Sequence, residues 1–374
     1  MKTLNNPFLV FGYHSPAYFC NREKETREIV DALQNGRNLT LTAPRRIGKT
    51  GLIHHVFHEL SQQYFGRMIY MDIFPTSSLN DITRIFAEAV LGVLDSDIQR
   101  LISKIGTVIK SLRPVMRFDP ITGNPEFSVD IEPGREEATL KDVFTYLASS
   151  EKQCIIAIDE FQQIVEYREK RVEALLRSYI QFVPNVRFIF AGSRQRLMQE
   201  LFTSSKRPFY QSTQLMSIGA IEKTQYYHFA YTFFKDKKMD LKENVFNELY
   251  DVFEGHTWYI QSVLNRLYGY GESVTESAQF FAAIDKLIAE YEYAYQNLLS
   301  AYTSTAVKLL KAIAKEGCVK AINAGRFIAK YDLKAASSVN TALAKLLKNE
   351  VVYKSEKGYI VYDRLMAIWL SRQL

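Results

Sequence analysis

The stretch LTLTAPRRIGKT, residues 39–50, decides the fold. Its first four residues form a short apolar run of the kind that buried strands have, and Ala43–Thr50 fits the pattern GxxxxGK[ST] except that alanine replaces the first glycine. In that pattern backbone N–H groups cradle phosphates, the lysine reaches the β- and γ-phosphates, and the hydroxyl residue binds magnesium. The stretch therefore predicts a strand, a phosphate-binding loop and a helix in succession.

Each residue type in the loop predicts a separate task. Gly48 lets the backbone approach the phosphates, Lys49 contacts the β- and γ-phosphates, and Thr50 offers its hydroxyl to Mg²⁺. The alternative is an ordinary strand-to-helix turn that matches the pattern by chance. The remaining residues expected to bind the nucleotide are Ala43, Pro44, Arg45, Arg46, Ile47 and Gly51.

An acidic pair, Asp159 and Glu160, directly follows the apolar run Cys154–Ile158 and weakens that alternative. A carboxylate at the end of a neighbouring strand can hold the magnesium shell, with water between, and the next acid can orient or deprotonate the attacking water. We assign Asp159 to the metal and Glu160 to the water. A phosphate-loop protein without the second acid still binds nucleotide, so Glu160 is the residue that favours hydrolysis.

Two more polar residues lie beyond this pair. Ser193 ends the next apolar run, where its hydroxyl can sense the γ-phosphate or position water; serine is also an ordinary helix-capping residue there. Arg207 precedes the last run and can neutralise the charge of the transition state. A surface arginine that serves only solubility is the alternative, and Arg45 and Arg46 compete for the same task.

Five short apolar runs separated by helix-like segments indicate an α/β fold with a parallel five-stranded sheet. Continuous rather than alternating apolar runs are expected when helices cover both faces of a sheet. The predicted strands are Leu39–Thr42, Met68–Ile73, Cys154–Ile158, Val186–Phe190 and Gln214–Ile218.

A long insertion separates the second and third strands. Val115–Phe118 and Glu126–Ile131 flank a segment that contains Pro120, Gly123 and Asn124, which predicts a β-hairpin within an insertion of about residues 112–134. Its tip is either a contact device or a neutral insertion.

The pattern changes after residue 218. Aromatic residues spaced along one helical face predict the core of an all-α lid domain; they are Tyr226, Phe229, Phe233 and Phe234. Three further helices and two strands have the order of a winged helix-turn-helix; they are Thr303–Ala314, Gly325–Tyr331, Ala335–Lys348, Val351–Lys354 and Tyr359–Tyr362. We expect a P-loop domain over residues 1–218, a helical lid over 219–300 and a winged helix over 301–374.

The net charge of +6 is unevenly distributed. Residues 301–374 hold ten Lys and three Arg against five acidic residues, a net of +8. Such a surface can bind DNA, whereas a lysine-rich solvated surface, or contact with a protein partner or a second copy, are alternatives. The polar residues expected to point outward from the third helix of the winged helix are Ser337, Ser338, Asn340, Thr341, Lys345 and Lys348.

Several other classes of protein find no support. No stretch approaches the roughly 20 apolar residues that span a bilayer, and the start lacks the features of a signal peptide, so we expect a cytoplasmic protein without a membrane partner. The cysteines and histidines do not indicate a metal site. Three scattered cysteines indicate neither a disulfide nor a zinc site. His54, His55 and His58 fall on the helix after the loop, and His54 and His58 have the spacing of a helical metal pair. No acidic residue lies between these two and no third ligand is evident, so we expect exposed helix histidines.

Taken together, these residues resemble the archaeal-type ATPases, a branch of the AAA+ group that is related to origin-recognition ATPases and is also common in bacteria. The resemblance extends over nearly the whole chain. The matching features are Asn6-Pro-Phe8, Phe19 with Arg22 and Glu25, Pro44–Thr50, Ile158–Gln162, Gly192-Ser193, Arg207–Tyr210, Gly255-His256 with Tyr259, and Tyr362-Asp363 with Trp369-Leu370.

The resemblance implies a protein that binds ATP with Mg²⁺ and either hydrolyses it to drive a domain rearrangement or acts as a switch. The alternatives are a nucleotide-gated DNA-binding or regulatory module in which hydrolysis is slow or incidental, and a scaffold that uses nucleotide only for stability. The resemblance also implies that the segment before the loop helps to hold adenine and that the helical domain closes over it, with His256 as a lid contact. Thr257 stands where this family usually has proline. The candidates for the adenine contact are Asn6, Pro7, Phe8 and Arg22.

Overall fold

A computed structural model of the chain describes residues 4–63, 66–94, 109, 111–118, 125–333, 335–355 and 357–373. The chain divides into two compact units. One is Phe11–Ile221, and the other combines Met1–Val10 with Glu222–Leu374. The predicted lid and winged helix thus belong to one unit, and the boundaries at residues 218 and 300 stay predictions.

The first unit is built on a parallel five-stranded sheet with the order β2-β5-β6-β1-β7. Its strands are β1 (Leu39–Thr42), β2 (Arg67–Asp72), β5 (Cys154–Asp159), β6 (Val186–Gly192) and β7 (Gln214–Ser217). Each of the five predicted strands is confirmed to within two residues at either end. The apolar runs were sufficient because the sheet is buried between helices.

Helices cover both faces of this sheet, and the side chains of β5 show the two faces. Ile155 and Ala157 belong to one apolar cluster, whereas Ile156 and Ile158 belong to the other. Successive strand residues point to opposite faces, so a strand buried on both is continuously apolar. The helices are α1 (Glu23–Gln34), α2 (Lys49–Gln62), α3 (Leu79–Leu94), α4 (Glu136–Ser149), α5 (Val172–Ile180) and α6 (Gln195–Thr203).

The insertion contains an antiparallel hairpin, β3 (Leu112–Phe118) with β4 (Pro125–Ile131). Glu88 on α3 anchors it, since its carboxylate accepts hydrogen bonds from Ser128 Oγ at 2.6 Å and from the N–H of Val129 at 3.2 Å. The predicted tip around Pro120, Gly123 and Asn124 lies outside the described residues. The role of the insertion as a contact device stays a prediction.

Four helices begin the second unit, and its aromatic core includes the start of the chain. The ring of Phe8 is fully buried and lies 5.5–6.0 Å from the rings of Phe233, Phe234 and Tyr268. Of the predicted aromatic face, Tyr226 and Phe234 are buried in the core, whereas Phe229 and Phe233 are half-buried against the ring of Phe8. The helices are α7 (Lys223–Asp236), α8 (Glu243–Val252), α9 (Thr257–Tyr270) and α10 (Ser277–Ser300).

The predicted winged helix is present in the same unit, with one more helix than expected. Its elements are α11 (Ser304–Glu316), α12 (Gly325–Lys330), α13 (Ala336–Lys348), the antiparallel strands β8 (Val352–Lys354) and β9 (Tyr359–Val361), and α14 (Arg364–Ser371). Val339, Leu343 and Leu346 form the buried side of α13. Among the helices of the described residues, none is long and apolar enough to cross a membrane.

Candidate nucleotide-binding site

The predicted site residues lie where neighbouring parallel strands end. The loop follows β1, Ser193 follows β6, and the acidic pair lies at the end of β5. Because β6 lies between β1 and β5 in the sheet, Ser193 falls between the loop and the acids. The carboxyl edge of a parallel sheet is where such folds bind ligands.

The backbone of the loop explains which positions need glycine. Gly48 has a φ of 96° and Arg46 a φ of 67°, whereas Ala43 is not among the residues with positive φ. An added Cβ at Gly48 would meet nothing within 4 Å, so the requirement for glycine there comes from the backbone conformation and not from space. Ala43 is fully buried in a core cluster, which explains why alanine is compatible with the first position of the motif.

Asp159 is the most highly connected acid of the site. Its carboxylate pairs with Lys49 Nζ at 2.6 Å and accepts hydrogen bonds from Thr50 Oγ1 at 2.7 Å and Tyr70 OH at 3.1 Å. Burial raises the pKa of Asp159, but the ammonium of Lys49 and the hydrogen bonds from Lys49, Thr50 and the N–H of Glu160 outweigh it, so the pKa lies below its ordinary 3.8. The side chain is therefore ionised at neutral pH.

Glu160 points into the same site from a left-handed backbone, with a φ of 55°. Its Oε1 lies 3.3 Å from Lys49 Nζ, and its Oε2 accepts hydrogen bonds from Ser193 Oγ at 2.8 Å and from Gln162 Nε2. Ser193 Oγ in turn accepts a hydrogen bond from Arg45 Nε at 3.3 Å. The structure thus brings together the predicted Lys49, Thr50, Asp159, Glu160 and Ser193.

These groups fit a magnesium-bound triphosphate. A hydroxyl and a carboxylate oxygen are hard ligands of the kind that Mg²⁺ prefers, and the ion usually takes only one or two protein groups besides phosphate and water. Thr50 Oγ1 and the Asp159 carboxylate, already in hydrogen-bond contact, are groups of this kind, and their predicted roles toward Mg²⁺, direct for Thr50 and through water for Asp159, stay predictions. Among the described residues, no group of three or more His, Cys, Asp or Glu is arranged to hold a metal ion.

The histidines of α2 differ from the prediction that they are exposed. They are half-buried under aromatic rings: His55 stacks on Phe19 at 4.3 Å between ring centroids, and the ring of His54 lies 4.6 Å from that of Tyr70. Burial lowers the pKa of both histidines. The prediction was wrong for His54 and His55 because the rings of Phe19 and Tyr70 cover their side of the helix.

Arg22, predicted to contact adenine, braces the loop. Its side chain is 4% exposed, pairs with Glu25 at 2.8 Å, and donates to the carbonyl oxygens of Ile47 at 3.2 Å and Gly219 at 2.7 Å. Its φ of 75° places it in the left-handed region. Contact with adenine stays a prediction, and the bracing role was missed because Gly219 is far away in sequence.

The other predicted adenine and lid residues lie in the second unit. Asn6 Nδ2 donates to the carbonyl of Asn265 at 2.7 Å, and Asn265 Nδ2 donates to the carbonyl of Phe8 at 2.8 Å. Pro7 is buried beside them. His256 precedes α9, and its Nδ1 lies 2.9 Å from the carbonyl oxygen of Phe253. Their roles toward a nucleotide stay predictions.

Arg207 has two carboxylate partners, Glu173 on α5 at 3.1 Å and Glu200 on α6 at 2.7 Å. These ion pairs bridge the two helices. The predicted action of Arg207 on transition-state charge stays a prediction.

Two residues for which no role was predicted contact the acidic pair. Tyr70 on β2 donates to Asp159, and Gln162 donates to Glu160. For Tyr70 the available signal was its hydroxyl near the end of β2, the strand that lies beside β5 and Asp159. For Gln162 the signal was its position two residues after Glu160.

Residues 19–263 match a family model described as an ATPase domain predominantly from Archaea. The chain belongs to this ATPase family. A second match, to a probable winged helix domain, covers residues 293–372 and confirms the predicted C-terminal winged helix. No curated protein matches the chain.

Solved structures share the fold of this ATPase over almost its whole length. A Walker-type ATPase of Pyrococcus abyssi is 17% identical with a TM-score of 0.66, and the match covers 97% of this chain and 99% of the other. The ORC2 protein of Aeropyrum pernix, solved as ADPNP and ADP complexes, is 14% identical with a TM-score of 0.56, covering 98% and 95%. The ORC1 protein of Aeropyrum pernix, solved with DNA, is 13% identical with a TM-score of 0.56, covering 99% and 96%.

These findings confirm the predicted P-loop fold, which the chain shares with the ORC1 and ORC2 proteins. The family and the residues gathered around Lys49 together identify an ATP-binding protein of the ATPase class.

Proposed function

We propose that this protein hydrolyses Mg-ATP with Glu160 as the general base. The observation that carries the proposal is the position of the Glu160 carboxylate, with one oxygen 3.3 Å from Lys49 Nζ and the other held by Ser193 and Gln162. A base in contact with the phosphate-binding lysine lies where it can reach a water that attacks the terminal phosphate.

The residues divide the work of hydrolysis. Lys49 and the N–H groups at the start of α2 bind the phosphates, and Thr50 and Asp159 hold the metal. Mg²⁺, when bound, neutralises phosphate charge. Glu160 accepts the proton of the attacking water, and Ser193 orients Glu160 through its hydrogen bond.

Phosphate release by the purified protein tests hydrolysis. The wild type is expected to release phosphate from Mg-ATP, and the Lys49→Ala variant, purified in parallel, is expected to release none above background. Equal release by both proteins would show that the activity comes from a contaminant or from another site.

We also propose that binding and turnover drive a domain rearrangement. The chain passes between the two units twice, near residues 10 and 221, so the units are joined by short backbone segments. Small-angle scattering of the Glu160→Gln variant, with and without Mg-ATP, tests the rearrangement. Identical scattering curves at saturating nucleotide would contradict it.

A second candidate function is DNA binding by the winged helix. Opposite the buried side of α13, the residues Ser337, Asn340, Thr341, Lys345 and Lys348 are exposed. The similar fold solved with DNA, the ORC1 protein, supports the same use here. Neutralising phosphates releases counterions, so binding to duplex DNA should weaken steeply with salt, and Lys345→Ala with Lys348→Ala should reduce the slope by about two. Absence of binding at low salt would dismiss this candidate.

A further inference from the structure

Gln162 is a buried glutamine, and within the described part of the chain only one of the two polar atoms of its amide makes a hydrogen bond. The residue is 3% exposed and follows β5 within the short helical segment Phe161–Glu166. Its Nε2 donates to Glu160 Oε2, while its Oε1 is buried and has no hydrogen-bond partner among the described residues. A buried acceptor without a partner destabilises a fold, so it calls for an explanation.

Gly192, the last residue of β6, has no side chain and so leaves space for the amide of Gln162. A Cβ added at Gly192 would lie 2.2 Å from Gln162 Oε1 and 2.6 Å from the Sδ of Met198. A larger residue at this position would therefore displace the amide of Gln162 or the side chain of Met198. The next residue, Ser193, donates to the same oxygen of Glu160 as Gln162 does, at 2.8 Å. Two donors from two different strand ends therefore meet on Oε2.

We propose that Gln162 is a positioning residue for ATP hydrolysis. Together with Ser193 it fixes Oε2 of Glu160, which stops rotation of the carboxylate and leaves Oε1 as the oxygen that accepts the proton of the attacking water. The inference rests on the proposed role of Glu160 as base. A base held in one orientation spends more of its time in the reactive geometry, which raises the rate. This gain explains why a glutamine with an unsatisfied amide oxygen is present at position 162.

The Gln162→Met variant removes the donor and keeps an unbranched side chain of similar length. We expect kcat to fall by about tenfold, because the carboxylate is no longer held in one orientation. The dissociation constant for ATP should stay within about twofold of the wild type, since no phosphate contact is lost. The Tm of the protein without nucleotide should be equal or higher, because the unsatisfied oxygen is gone.

Gln163→Met is the matched control. The amide of Gln163 also donates a hydrogen bond, but to the carbonyl oxygen of Thr76 at 3.1 Å and not to Glu160. This variant should lose some stability and keep the wild-type kcat.

The Gln162→Glu variant separates donation from shape. An ionised carboxyl at this position cannot donate to Glu160 and repels it, whereas a protonated carboxyl can donate as the amide does. Its turnover relative to the wild type should therefore rise as the pH is lowered. A ratio that does not change with pH would contradict this expectation.

Two outcomes have separate meanings. A folded Gln162→Met protein with wild-type kcat, in a series in which Glu160→Gln is inactive, would overturn the role of Gln162 and leave the base in place. Normal turnover by Glu160→Gln would overturn the base itself. If Gln162→Met does not fold, a pH-independent ratio for Gln162→Glu overturns the inference alone.

Discussion

The ammonium of Lys49 lies between the two acids of the site, 2.6 Å from Asp159 Oδ1 and 3.3 Å from Glu160 Oε1. The side chains of Lys49 and Asp159 are 7% and 4% exposed. Because a buried charge without a partner is strongly destabilising, the lysine makes it possible to hold two carboxylates this close together. The residue predicted to bind phosphate therefore also positions the predicted metal and base residues.

Replacing Thr50 with valine should weaken only the magnesium-dependent part of ATP binding. Valine keeps the shape and removes the hydroxyl, which in the structure donates to Asp159. We expect the affinity for ATP with Mg²⁺ to fall about tenfold, or by about 1.4 kcal/mol, and the affinity in EDTA to stay unchanged. Thr50→Ser should behave as the wild type. An equal loss in EDTA would argue against a metal role.

Replacing Arg22 with alanine should destabilise the first unit and loosen the loop. The change removes a buried guanidinium and leaves the carbonyl oxygens of Ile47 and Gly219 without its donors. We expect a loss of about 3 kcal/mol in the free energy of unfolding, measured in urea, with weaker ATP binding. The exposed Arg27→Ala serves as the control, with a change within about 0.5 kcal/mol. Similar losses for both would contradict the bracing role.

Replacing Arg207 with alanine should have an effect that depends on pH. Burial raises the pKa of Glu173 above its ordinary 4.5, although Arg207 lowers it, so removal of Arg207 raises it further. A carboxyl with a raised pKa in the folded state weakens the fold when ionised, and this penalty fades as pH falls toward the unfolded value.

The expected loss for Arg207→Ala is therefore about 1–2 kcal/mol at neutral pH and smaller near pH 4.5. Urea unfolding at the two pH values measures it, with the wild type as reference. A loss that grows in acid would show that the pair with Glu173 is not what Arg207 contributes.

Replacing Phe8 with alanine should destabilise the second unit. The ring is 0% exposed and packs against Phe234 and Tyr268, so we expect a loss of about 3 kcal/mol in thermal or urea unfolding. Phe11→Ala is the matched control, since that ring is 83% exposed. Weaker ATP binding without loss of stability would instead favour the predicted adenine contact.

The elements that the sequence predicted best are those that depend on local pattern. The strands followed from apolar runs, and the loop from the order of Gly48, Lys49 and Thr50. By contrast, α14 has eight residues, too few for its periodicity to stand out after a strand.

The roles that could not be predicted depend on contacts between distant parts of the chain. Arg22 and Gly219 are 197 residues apart, and Asn6 and Asn265 are 259 apart. No local pattern shows that the first residues join the C-terminal unit. The hydrogen bonds of Gln162 and Ser193 to one oxygen of Glu160 likewise depend on the order of strands in the sheet.

ATP binding and turnover of the Glu160→Gln variant test the central claim most directly. The change removes the base and keeps the shape of the side chain. We predict that the variant binds Mg-ATP with an affinity within about threefold of the wild type and releases phosphate at least about a hundredfold more slowly. Wild-type turnover by the folded variant would contradict hydrolysis through Glu160.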